Sequence, residues 1–74
     1  MNNNPSQLKE ELADERADAM MVLSKMINHF MNATSADRET IDKIANLELQ
    51  INDLARQMQK LMFNEIDEAN SERD

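Results

Sequence analysis

A chain of this size builds a β-sheet only with tight turns, and the residue those turns depend on is missing. There is no glycine in the 74 residues, and the one proline stands at position 5. Type I′ and II′ hairpins need residues that accept positive φ, and glycine is the usual one. What fills the sequence instead is Ala, Leu, Met, Glu, Lys, Gln and Arg, the strong helix formers. The fold class is therefore all-α. With no cysteine, disulfides and thiolate zinc sites are excluded.

Two helices fit the punctuation, in a single domain over 1–74. Asn4-Pro5-Ser6-Gln7 opens the first. Asn4 can cap, Pro5 suits the first helical position, and Gln7 can reach back as the third residue of a capping box. This helix is expected over about 5–31. The break NATSADRET follows, with a loop at about 32–35. Thr34 with Asp37 three residues on reads as an N-cap, and Ser35 is a rival. The second helix is expected over about 35–69, with a frayed tail at 70–74. A short loop between long helices makes an antiparallel hairpin.

The second helix carries a heptad seam. Ile44, Ile51 and Met58 fall at a, and Leu47, Leu54 and Leu61 at d. Ala55 and Met62 widen the seam at e. In the first helix Leu12, Ala19 and Met26 fall at d, Leu23 and Phe30 at a, Met20 and Ile27 at e, and Val22 at g. The earlier a positions are Lys9 and Arg16, so the seam weakens toward the N-terminus. The two seams are expected to face each other, with Leu8 and Leu12 near Met62, Phe63 and Ile66 at the open end.

That arrangement does not use all the apolar surface. AMMVLSKMINHFM, residues 19–31, holds four of the seven methionines and is apolar nearly all round. Two helices bury only their facing stripes, and a core this small is marginal without disulfide or metal. Leu49 and Phe63 lie on the outer f row, as does Met21 on its own helix. Self-association buries such residues, and a dimer of hairpins forms a four-helix bundle. The residues expected at a self-association or partner contact are Met21, Val22, Met26, Phe30, Met31, Leu49, Phe63 and Ile66. Against this stands the ordinary reading, that single exposed apolar residues are common on surfaces. It accounts for Leu49 better than for the segment 19–31. Methionines at helical spacing fill cores more often than they form adaptable binding surfaces.

The net charge is −7. Phosphate backbones and anionic membranes call for clustered Lys and Arg, so both are disfavoured as partners. Nothing approaches a membrane span, and MNNNPSQLKEEL lacks the basic and apolar regions of a signal peptide, so a cytoplasmic location is expected. Asn32-Ala33-Thr34 is formally a glycosylation sequon, read here as chance. Residues 1–18 carry two basic and five acidic side chains, and residues 56–74 carry three and five. Five of the seven net charges thus gather where the termini meet, and like charges there repel. The acidic patch comprises Glu11, Asp14, Glu15, Asp18, Glu65 and Glu68.

No catalytic or cofactor constellation emerges. Glu11, Asp14, Glu15 and Asp18 share one helix face, but carboxylate-bridged bundles need Glu-x-x-His pairs projecting inward, and none occurs. A solvated face is the simpler reading. His29 is the only histidine and falls at g, a structural or interfacial position. Phosphate loops need glycine. The expectation is no enzyme, no metal and no cofactor.

Three functions follow. The first is a small self-associating helical protein that binds another protein as regulator, adaptor or assembly chaperone. The second is an acidic inhibitor, possibly viral, of a nucleic-acid-handling or defence enzyme. The third is a bundle that takes RNA or a small anionic ligand through Lys25, Lys43, Arg56 and Lys60. In architecture alone the expected hairpin dimer resembles the small plasmid-type hairpins that bind RNA, and its charge has the opposite sign.

Overall fold

The computed structural model describes residues 4–72, and they form two helices. Helix α1 runs over Pro5–Ala33 and helix α2 over Arg38–Glu72. Asn4 caps α1, its Oδ1 accepting the Ser6 amide at 2.8 Å, with Pro5 in the first turn. Gln7 does not reach back to the cap. Its amide donates forward to Glu11 at 3.4 Å, so the capping box expected there is absent.

The turn is built differently from the sequence expectation. Thr34 belongs to the end of α1, where its hydroxyl donates to the Phe30 carbonyl at 2.8 Å. That use removes it as a cap for α2. Asp37 takes the role, its Oδ1 accepting the Thr40 amide at 2.9 Å. Hydrogen bonds from the Thr40 hydroxyl and amide hold the Asp37 carboxyl below its ordinary value. A carboxylate is also the better cap electrostatically, because it sits at the positive end of the helix dipole. Exposed pairs Arg38–Asp42 and Lys43–Glu39 reinforce the first turns of α2 at i, i+4. At its far end α2 continues through 70–72, where fraying was expected. The expected tail residues 73 and 74 lie outside the described residues.

The hairpin is antiparallel. Arg16 Nε donates to Gln59 Oε1 at 2.6 Å. One end further on, Lys9 pairs with Asp67, and its ammonium sits 5.6 Å from the centre of the Phe63 ring. These contacts fix a register in which Leu23 stands level with Asn52. The inner row of α1 is half-buried Leu8, Lys9, Leu12, Ala13, Arg16, Met20, Leu23 and Ser24, ending on Ile27. The inner row of α2 is Ile41, Ile44, Glu48, Asn52, Ala55, Gln59, Phe63 and Ile66.

This row corrects the expected packing. The a/d seam of α2 faces α1 only at Ile44: Leu54 is 56% and Leu61 66% exposed, and Leu47, Ile51 and Met58 stand out with them. The helices meet one strip over, where small Ala13, Ser24 and Ala55 permit close approach and Arg16 bonds Gln59 across the contact. Phe63, expected outward, lies half-buried under Lys9, and Ile66 is half-buried beside it. Ala19 and Met26, expected in the seam of α1, are exposed for the same reason.

The resulting body is a ribbon, not a globule. Its extents are 58 × 20 × 10 Å and its radius of gyration is 17.2 Å. A compact chain of this length would have a radius near 11 Å. Ile27, at 8% exposure, is the one buried hydrophobic residue among those described. The accessible surface is 6164 Å². A compact protein of the same mass exposes about 4,700 Å².

Candidate functional site

Rotating both contact strips in the same sense leaves one broad side of the ribbon apolar. A helix turns about 100° per residue, so rows three and four residues apart share a side. On α1 that side carries Ala19, Val22, Met26 and Phe30. On α2 it carries Leu47, Ile51, Leu54, Met58 and Leu61, all exposed. Between the helices runs a shallow furrow. Its open-end part is lined by Leu12, Glu15, Ala19, Met58 and Met62. Its middle is lined by Leu23, Met26, Ile44, Leu47 and Ile51. Near the loop it closes on Phe30, beside Met26 and Ile44. These parts share lining residues and make one continuous apolar strip.

Charge borders this strip unevenly. Glu15 lines the furrow, and Glu11 and Asp18 stand one turn to either side of it. On α2, Glu65 follows Leu61 by four residues and Glu68 by seven. All five carboxylates are exposed and lie toward the open end. Toward the loop the border is His29 and Lys43, four residues before Leu47, with Glu48 lining the furrow between the helices. The carboxylates of the face thus gather toward the open end, and Lys43 stands toward the loop.

The expected contact residues divide. Val22, at 64% exposure, Met26 and Phe30 lie on the open face. Met21 and Leu49 are also exposed, but Met21 stands about 100° round the helix from Val22 and Leu49 two residues from both Leu47 and Ile51, so they look to the reverse side. Met31 falls one turn beyond Ile27, at the margin of the helix contact. Phe63 and Ile66 belong to the hairpin interior. Among the acidic residues, Glu11 and Glu65 stand level with each other at the open end, whereas Asp14 looks to the reverse side. Lys25, Lys43, Arg56 and Lys60 lie at separate levels and do not converge. Among the described residues no group of three carboxylate or imidazole side chains is placed to hold a metal ion.

The residues misassigned from sequence are well exposed. Leu47, Leu54 and Leu61 have the signature of a packed seam, and that signature says only that the row seeks a partner. What could have warned against placing them inside the hairpin is the second strip on α2. Ala55, Gln59 and Ile66 alternate there with Asn52, a usable if mixed contact row.

The fold and the face define a two-helix antiparallel hairpin with one uncovered apolar side. No family model, no curated protein and no solved structure matches the chain. No helix among the described residues is long and apolar enough to cross a membrane.

Proposed function

We propose that this is a small non-enzymatic interaction protein. It self-associates through the open face and holds a helical segment of another protein there as regulator, adaptor or assembly chaperone. The observation that carries this reading is the row from Leu47 to Leu61. Five large apolar side chains at heptad spacing stand in solvent while polar Gln59 and Asn52 occupy the helix contact. Contiguous apolar patches of this kind mark interaction sites on soluble proteins. A groove between two helices suits an amphipathic helix laid along it, and Met26, Met58 and Met62 adapt to more than one shape.

Light scattering and sedimentation of the purified full chain test the reading. A particle heavier than 8.6 kDa at micromolar concentration is expected. Affinity capture from the native host should then recover a protein that Leu54→Glu no longer holds. A compact 8.6 kDa monomer that captures nothing through this face refutes the proposal.

A second reading draws on the carboxylates at the open end, where Glu11, Glu65 and Glu68 are exposed together. In it the chain is an acidic inhibitor that imitates phosphate charge toward a nucleic-acid-handling enzyme. Binding to a basic enzyme of that class, lost as salt is raised, would support it. Binding unaffected by salt would rule it out.

A further inference from the structure

We infer that the occupant of the open face is a second copy of this chain, laid antiparallel, with the two-fold axis crossing α1 at Val22 and α2 at Leu54. The inference rests on the self-association reading above and fixes its geometry.

Size supports a second copy. Each hairpin exposes 6164 Å², roughly 1,500 Å² more than a compact chain of its mass. A covering copy takes the apolar part of that surplus, the open face, out of water. Symmetry supports the orientation. An antiparallel pair overlaps fully only if the face is centred on the axis. The α2 row from Leu47 to Leu61 is centred on Leu54. On α1 the furrow lining runs from Leu12 to Phe30, centred within one residue of Val22. The Arg16–Gln59 register places Val22 within about one residue of Leu54's level, so one axis serves both rows.

Charge decides between the two possible orientations. In a parallel dimer, α1 packs on α2 of the second copy at the same level. Glu11, Glu15 and Asp18 would then face Glu65 and Glu68, and the acidic ends would coincide. In the antiparallel dimer each helix packs on its own copy. Lys43 comes level with Glu65 of the second copy, and the acidic open ends lie at opposite ends of the pair. Like charges are separated, and on α2 opposite charges meet. Glu39, which touches Lys43 at 3.4 Å, and Glu48, which lines the furrow, are carboxylates on the loop side of this border.

Single cysteines read the geometry directly, since the chain has none of its own. Val22 and Leu54 are both well exposed in the hairpin, so Val22→Cys and Leu54→Cys leave its interior intact. Under mild oxidation each variant alone should give a covalent homodimer, because a residue on the axis meets itself. A charge swap provides an independent reading. Lys43 and Glu65 lie 22 residues apart on one helix, about 33 Å, so any coupling between them is intermolecular. Lys43→Glu should weaken the dimer about two- to five-fold, and adding Glu65→Lys should restore it.

Linkage confined to a mixture of the Val22→Cys and Leu54→Cys chains overturns the antiparallel geometry while self-association stands. A dimer by mass that links in neither way overturns the face as the self-contact. A monomer that instead links to another protein of the host overturns the second copy as occupant, and leaves the partner reading in place. A monomer that links to nothing removes both.

Discussion

Truncating Leu54 to alanine separates a ribbon that ends at its own surface from one whose open face is covered. Within one chain Leu54 is 56% exposed. Full burial of a leucine side chain is worth about 1.5–3 kcal/mol, so the hairpin alone realises about 1 kcal/mol of it. A covering copy would supply the remainder, roughly 1–1.5 kcal/mol for each of the two Leu54 side chains with the cavity left behind. The dimer then loses about 2–3 kcal/mol, a dissociation constant about 30- to 150-fold weaker. Leu49→Ala is the matched control: the same chemical change at 67% exposure on the reverse side, with little expected effect. Sedimentation across a wide concentration range gives the dissociation constants, and melting temperature should rise with wild-type concentration. Equal, small effects of the two substitutions at every concentration would refute the argument that the face is covered.

Three further outcomes concern the hairpin itself. Ile27→Ala removes the one buried hydrophobic residue among those described and should cost about 2–4 kcal/mol in urea unfolding, more than any single change on the open face of an isolated chain. Lys9→Ala takes away the Asp67 pair and the cation over Phe63, an expected loss of about 1 kcal/mol that hydrogen exchange should localise to the last turns of α2. Asp37 has a folded-state pKa below its ordinary value, so its stabilisation of α2 is complete above the ordinary carboxylate range and is lost as pH falls through the lowered value. Amide exchange at Thr40 and Ile41 should rise in acid, whereas Asp37→Ala should show the same fast exchange already at neutral pH.

Much of the architecture is legible before any coordinates. The lack of glycine, the Asn4-Pro5 start and the NATSADRET break set two helices and their antiparallel order, although α1 ends at Ala33, two residues past the expected Met31, and α2 starts at Arg38, three past the expected position 35. The turn was less legible because three candidate caps stand within four residues. Thr34, Ser35 and Asp37 all have suitable side chains, and the choice depends on the Phe30 carbonyl, which Thr34 satisfies. Local composition carries no record of that competition.

The rotation of the seam is harder to read, and the reason is physical. A heptad row of Ile, Leu and Met states that one side of α2 gains by leaving water. It carries no information on whether the covering helix belongs to the same chain. Inside one hairpin, Arg16 and Gln59 hydrogen-bond across the contact and Lys9 covers Phe63, so a mixed strip with small residues closes the pair. Were the apolar row buried there instead, Asn52 and Gln59 would lie on the open side, and the ribbon would present a polar surface. Placing the polar strip inside is the weaker solution for an isolated hairpin, which keeps Ile27 as the single buried hydrophobic residue among those described. It is the better solution for an assembly, because the same leucines then count toward a shared core. The position of Leu54, outside the hairpin and level with Val22, is the residue-level form of that exchange.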